Sequence, residues 1–282
     1  MSSVPFISVW FSLFVCILTL SSCEKSTPIA IDISEVFDFY NLKTNEGALL
    51  IVRLEDGKSW SVGGERLLKR FSPASTSKIL HTYIALESGV VTDETQEFIW
   101  DGRARFLDSW NQNQTLKTAF HRSAVWVYQD IVSQIGYADM QNYVNTFEYG
   151  NMNIGSVDNL TTYWLNGELQ ISALEQVAFL SKLVKNEFNI SKRSYDRAEV
   201  IMQKDIAPHQ KMIAKTGWYS GGNTDIGWYI GWFKNDEEQI YVFAFNMDMH
   251  DIDDDLRKRR DVVISALTHI RATEIEKTHF QP

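Results

Sequence analysis

From Val4 to Leu20 the chain is apolar apart from scattered Ser and Thr, and the run ends in Leu20-Ser21-Ser22-Cys23. An apolar stretch followed by small residues predicts an export signal rather than part of the fold. Residues Ser34 to Asn41 read as a short helix. Ala48 to Leu54 is an apolar, β-rich run, Glu55-Asp56-Gly57-Lys58 supplies a turn, and Ser59 to Val62 returns; together they predict a hairpin. Pro73 and Ser75 mark a helix start, and Ile79, Leu80, Tyr83, Ile84 and Leu86 follow at helical spacing to a stop near Gly89. Between Asp93 and about Leu183 helical periodicity dominates. Helices are predicted over Val125–Ile135, closed by Gly136, over Tyr137–Phe147, and from a capping box at Ser172 and Glu175 through Leu183. After Lys211 the period changes to that of strands. Met212–Trp218, Ile226–Phe233 and Ile240–Met247 read as an antiparallel meander, and Val262, Val263, Ala266, Leu267 and Ile270 form the apolar face of a last helix.

Strands at both ends with helices between them predict an α+β fold. An antiparallel sheet flanked by helices is built from both chain ends and carries an inserted all-helical domain. The expected boundaries are 1–23 for the leader, 24–72 with 197–282 for the sheet domain, and 73–196 for the mainly helical domain, with the active site at their interface. Leu20-Ser21-Ser22-Cys23 resembles a bacterial lipobox, in which the cysteine is lipidated and becomes the first mature residue. No Lys or Arg precedes the apolar run, so an ordinary secretion signal and an uncleaved anchor stay open beside a lipid anchor at Cys23. All three put the body outside the cytoplasm, in the expected case in the periplasm.

With 282 residues and 44% hydrophobic composition, the chain can bury a real core. A formal net charge of -9 argues against nucleic acid as a partner. The one basic cluster, Arg257-Lys258-Arg259-Arg260, is hemmed in by Asp251, Asp253, Asp254, Asp255 and Asp261. Both cysteines, Cys16 and Cys23, precede the body, which excludes a disulfide framework and Cys-type zinc sites there. The six histidines show no His-Glu-x-x-His pattern, and no metal is expected. Nine Trp suit core and cleft packing, or stacking on a small molecule.

Candidate chemistry starts at Ser75 and Lys78. Three apart on a helix, they share a face, so a hydroxyl and an amine sit side by side. The serine becomes a nucleophile only if something takes its proton, which Lys78 does if desolvation lowers its pKa or if its amine becomes a different base. Further along, Ser123 precedes a helix, as a cap or a proton relay, and Tyr149-Gly150-Asn151 sits in a loop. Trp164 and Leu165 are either core or a dry wall with an indole N–H. On a strand, Lys215-Thr216-Gly217 offers donors for a carboxylate and close backbone approach.

The ordered set Ser-x-x-Lys, Ser-x-Val, Tyr-Gly-Asn, Trp-Leu and Lys-Thr-Gly resembles the penicillin-recognising serine enzymes, and among them the class D (OXA-type) β-lactamases. The resemblance runs from about Ala48 to the C-terminus. It implies hydrolysis of the β-lactam ring of penicillin-type antibiotics through an acyl-enzyme on Ser75, and hence β-lactam resistance. It implies that Lys78 is N-carboxylated by CO2 or bicarbonate and serves as general base. Val125, Trp164 and Leu165 would wall that pocket, and Ser123 with Lys215 would deliver the proton to the departing nitrogen. The backbone N–H groups of Ser75 and Trp218 would form an oxyanion hole. Thr216, Gly217 and an arginine would face the substrate, with Arg259 preferred over Arg257 and Arg260 on its spacing to Val262, Leu267 and Ile270. Ser77 departs from the family's Phe or Tyr, which either loosens the wall around Lys78 or faces elsewhere. The alternatives are a β-lactam-binding sensor, a D-Ala-D-Ala transpeptidase or carboxypeptidase, and a non-catalytic relative.

Overall fold

The computed structural model describes residues 30–207 and 210–272. The apolar leader and Cys23, with the expected lipid anchor, lie outside the described residues. In chain order the elements are β1 (Ile31–Asp32), α1 (Ser34–Phe39), β2 (Gly47–Arg53), β3 (Ser59–Val62), α2 (Lys78–Glu87), β4 (Glu97–Phe98), β5 (Gln114–Thr115) and α3 (Leu116–Arg122). Then come α4 (Val125–Ile135), α5 (Tyr137–Thr146), α6 (Ala173–Val184), α7 (Lys192–Met202), β6 (Gln203–Ala207), β7 (Gln210–Tyr219), β8 (Asp225–Lys234), β9 (Ile240–Met249) and α8 (Ile252–His269).

Seven strands form one sheet in the order β1-β3-β2-β9-β8-β7-β6, antiparallel throughout except for β1 on β3. Side chains alternate across it. On β8, Trp228 and Ile230 face a core shared with α2, α4 and α6, while Tyr229 and Phe233 face a second core under α1 and α8. The α+β architecture with a largely antiparallel, helix-flanked sheet therefore follows the pattern read from the chain. Each large aliphatic side chain buried in these cores stabilises the fold by about 1.5–3 kcal/mol. α2 is buried along nearly its whole length, Lys78 through Leu86, polar Lys78, His81 and Thr82 included. Among the described residues no helix is long and apolar enough to cross a membrane.

Local signals hold where their chemistry is local. Ser172 and Glu175 form the reciprocal capping box of α6, and Gly136, at φ 83°, ends α4. The helix expected from Ser75 instead begins at Lys78, because Ala74–Ser77 wind as a tighter 3-10 turn. Thr76 Oγ1 donates to Pro73 O and Ser77 Oγ to Ala74 O, at 2.7 and 2.8 Å, and such side-chain bonds favour the tight turn over a regular helix. The last helix reaches back to Ile252, where Asp251 accepts from the amides of Asp253 and Asp254. Unforeseen are β1, β4, β5 and β6, all five residues or fewer, and α3 and α7. α7 buries only Ser194, Ala198, Ile201 and Met202, too few large apolar side chains to leave a clear period.

Candidate active site

Ser75 lies in the 3-10 turn between Pro73 and α2, with Ala74 at φ 45° just before it. An alanine in the left-handed region costs on the order of 1–3 kcal/mol and persists only where its surroundings hold it. Here they do. Trp228 Nε1 donates to Ser72 O (3.0 Å), Ser72 Oγ donates to Trp164 O (2.9 Å), and Gln176 Nε2 donates to Thr76 Oγ1 (3.2 Å) and to Tyr149 Oη (3.1 Å). Tyr149, read only as part of a loop motif, thus steadies the Ser75 turn through Gln176. On the sheet side Gly217 is pressed against the turn. A Cβ added there would lie 2.8 Å from Pro73 O and 3.0 Å from Thr76 Cγ2. This approach sets β7, with Thr216 and Trp218 half-exposed, beside Ser75.

Lys78 Nζ donates to Ser75 Oγ at 2.9 Å. The lysine is fully buried and has no carboxylate partner among the described residues, and desolvation lowers its pKa to about 7. A neutral amine is therefore accessible near neutral pH. Its surroundings are aromatic. Nζ lies 5.2 Å from the centroid of the Tyr128 ring, whose hydroxyl meets Thr82 Oγ1 at 3.0 Å. His81, one turn further along α2, packs edge-on to Trp164 with ring centroids 4.8 Å apart, and its Nε2 is 2.6 Å from Tyr163 Oη. Two polar atoms in this region are buried with no hydrogen-bond partner: His81 Nδ1 and Trp164 Nε1. Of the expected wall residues, Trp164 is fully buried, whereas Val125 and Leu165 are half-buried. Ser77 is fully buried with its hydroxyl engaged by Ala74 O.

Lys215, also buried, reaches from β7 to Ser123 Oγ at 2.5 Å and to Thr216 O at 3.2 Å. Burial first, then the nearby Lys78 and Arg259, hold its pKa well below the usual lysine value. Ser123 does not open α4 as expected. It closes α3 at φ 57°, and Ala124 is the N-cap of α4, so the hydroxyl sits at the break between two helices. Arg259, on α8, donates through Nη1 to Gly217 O at 2.5 Å and lies over Gly227. By contrast, Arg257 is exposed beside Asp254. Desolvation lowers the Arg259 pKa to about 10, so it stays charged at neutral pH. Neither Lys215 nor Arg259 has a carboxylate partner within salt-bridge distance among the described residues. Buried donors of this kind suit an anionic group supplied from outside.

The structure thus brings Ser75, Lys78, Ser123, Lys215, Thr216, Gly217, Trp218 and Arg259 to the junction of the Ser75 turn, α3, β7 and α8. Residue-by-residue reading missed His81, Tyr128, Tyr163 and Gln176 as neighbours of the site. His81 alone left a signal, the three-residue step from Lys78. Among the described residues no three His, Cys, Asp or Glu side chains gather as a metal site.

Residues 57–267 match the family of the penicillin binding protein transpeptidase domain. The chain is 41% identical to β-lactamase OXA-48 of Klebsiella pneumoniae over 185 residues, 66% of this chain and 69% of that protein. It is 35% identical to β-lactamase OXA-10 of Pseudomonas aeruginosa over 235 residues, 81% and 87% of the two chains. In structure it is similar to a class D β-lactamase, YbXI from Nostoc, with TM-score 0.81 and 32% identity, covering 85% of this chain and 98% of that one. FUS-1 (OXA-85), a class D β-lactamase from Fusobacterium nucleatum subsp. polymorphum, gives TM-score 0.79 at 32% identity, covering 84% and 96%.

Proposed function

The chain belongs to the class D β-lactamases, within the penicillin-binding transpeptidase family, and on that premise we propose that it opens the β-lactam ring through Ser75 with a carboxylated Lys78 as the base. The observation that carries this reading is a fully buried amine, its pKa near 7, 2.9 Å from a hydroxyl mounted on a held turn.

The surroundings of Lys78 fit a carboxylated amine. Reaction with CO2 needs a neutral nitrogen: the Nζ lone pair attacks carbon, one C=O pair passes to oxygen, and nitrogen releases a proton. The product is an anion, and two orphaned ring nitrogens, on Trp164 and His81, lie buried around the same helix turn. Such a group supplies a general base of higher charge than an amine, able to take the Ser75 proton and later to activate water. The remaining chemistry belongs to the chain. Ser75 Oγ attacks the ring carbonyl, whose oxygen is received by the amides of Ser75 and Trp218; one such donor is typically worth ~3 kcal/mol in the transition state. The ring C–N bond breaks, and the nitrogen takes a proton from Ser123, which Lys215 replenishes. Arg259 and Thr216 bind the substrate carboxylate. Lys215 recovers the proton first taken from Ser75; water then loses a proton to the freed base and adds to the ester carbon, the C–Oγ bond breaks, and Ser75 Oγ takes that proton back.

Penicillin-type substrates, and resistance in the cell that makes the enzyme, complete the proposal. The body is exported to the periplasm and tethered there if Cys23 is lipidated. The deciding experiment is a hydrolysis panel of penicillins, cephalosporins, carbapenems and a D-Ala-D-Ala peptide, with and without bicarbonate, alongside carbon-13 NMR of enzyme in labelled bicarbonate. Turnover of penicillins that rises with bicarbonate, with a lysine carbamate resonance, is expected. Acylation without turnover would mean a sensor, peptide cleavage a carboxypeptidase, and bicarbonate-independent turnover with an unmodified Lys78 a different base.

A further inference from the structure

His81 is a histidine that the chemistry above does not need, yet it occupies the most enclosed part of the site. It is 1% exposed and one helical turn from Lys78. Its ring lies between Trp164, centroids 4.8 Å apart, Tyr163 at 5.7 Å and Tyr128 at 6.3 Å. The Tyr128 ring is the same one that Lys78 Nζ faces. Desolvation, then the nearby Lys78, lowers the His81 pKa to about 3, so the imidazole is neutral and carries a single N–H.

Hydrogen-bond accounting decides which nitrogen carries it. If Nε2–H donated to Tyr163 Oη, the phenolic hydrogen would be buried without an acceptor and Nδ1 would be a second buried orphan. If Tyr163 donates its hydroxyl hydrogen to Nε2, one group alone is left over, an N–H at Nδ1. Each buried polar group left unpaired destabilises the fold, so the second arrangement, with one fewer, is favoured. Nδ1–H then joins Trp164 Nε1–H as a second buried neutral donor without a partner, on a ring close enough to Lys78 for its charge to lower the His81 pKa, and among the described residues Lys78 has no carboxylate partner. Two stranded donors around one buried amine are satisfied together by an anion built on that amine.

We propose that His81, held by Tyr163 in its Nδ1–H tautomer, is a positioning residue that donates to the carboxylate oxygens of carboxylated Lys78 alongside Trp164. The inference rests on the carboxylation proposed above. It predicts that this chain retains CO2 through two donors, and that Tyr163, remote from substrate, acts by pinning the imidazole.

The test uses the whole exported body. Nitrogen-15 NMR of the unsubstituted enzyme, histidine-labelled, should show His81 protonated at Nδ1, and the Nδ1–H proton should move downfield as labelled bicarbonate is added and the lysine carbamate signal grows. In a CO2 titration read by the carbamate resonance, His81→Phe should need roughly tenfold more CO2 or greater. His81→Asn, whose amide nitrogen reaches where Nδ1 lies, should recover most of that loss, and Tyr163→Phe should show a smaller one. An Nε2–H tautomer, an Nδ1 proton indifferent to bicarbonate, or a His81→Phe enzyme that carboxylates as readily as the parent would each overturn the proposal. The first two readings need no variant to fold. Absence of any carbamate in the parent enzyme would instead overturn the carboxylation on which it rests.

Discussion

Lys215 Nζ and Ser123 Oγ are 2.5 Å apart, so a buried amine on β7 is tied to the first of the two residues that separate α3 from α4. Among the described residues, without Ser123 the ammonium or amine keeps only Thr216 O and the Phe120 ring, and without Lys215 the Ser123 hydroxyl loses the donor that fixes it. Ser123→Ala and Lys215→Ala should each slow acylation by about 10²-fold or more. Because they act as one unit, the double variant should lose little beyond the worse single one. Stopped-flow acylation of a chromogenic cephalosporin provides the cycle; losses that simply multiply would show that the two act independently.

Lys78 should make stability depend on pH in the absence of CO2. Its folded pKa, about 7, lies below the unfolded value near 10.4, so the unfolded chain binds the extra proton between them. Stability should therefore rise with pH from about 7 to about 10, and the penalty should be full below about 7. Lys215 adds a slope of the same sign, which Lys78→Met lessens but does not abolish, since burial is its largest cause and the Lys78 charge comes second. In CO2-free buffer, Lys78→Met should have a higher urea midpoint than the parent at pH 6 and converge with it toward pH 10. Parallel curves would refute the burial argument.

Gly217→Ala tests the closeness of β7 to the Ser75 turn. The new Cβ would sit 2.8 Å from Pro73 O, which already accepts from the amide and hydroxyl of Thr76. Turn and strand must part by a few tenths of an ångström, and Ser75 and Trp218 with them. Catalytic geometry is more sensitive to such a shift than packing is, so acylation should fall about 10²-fold while the thermal midpoint moves by a few degrees. Wild-type acylation in a folded variant would show that the site tolerates the displacement.

Arg259→Lys is not conservative. The guanidinium donates through Nη1 to Gly217 O and through Nε and Nη2 to Leu256 O, which leaves one N–H on each Nη for an anion, and an ammonium does not reproduce that fork. The expected result is a KM for penicillins raised roughly 10- to 100-fold with a smaller change in kcat. Arg257→Ala, at an exposed pair with Asp254, should leave both within twofold. Equal effects at the two positions would remove Arg259 from substrate binding.

What the chain made readable, and what it hid, follows from the range of each interaction. Ser75 and Lys78 stood out because one helical turn links them, and Ser172 with Glu175 because a capping box spans four residues. Gly57 and Gly136 punctuate for conformational reasons of their own, both at positive φ. The left-handed Ala74 left no trace, since alanine is not a residue that advertises it; its conformation is imposed by Gly217, Trp228 and Trp164 from far along the chain. β6 was equally silent. Its five residues pair only with β7, and the strand character comes from that neighbour rather than from its own pattern. The environment of His81 is a meeting of α2 with residues 128, 163 and 164, which no local period encodes.

The middle of the sheet carries one more consequence. β2 is paired by residues 47–53 to residues 241–247 of β9, and β9 also carries β8 and, through it, β7. Ribosomes deliver these partners at opposite ends of synthesis. Pairings so distant in the chain close late and slowly. No nascent chain that stops short of β9 can complete either apolar core, and Lys215 has no settled place opposite Ser75 until that strand arrives. A truncation after Lys234 would therefore yield no weakened enzyme, only a chain with a hairpin at one end and helices lacking the surface they pack on. Folding is held back until almost the whole polypeptide is available.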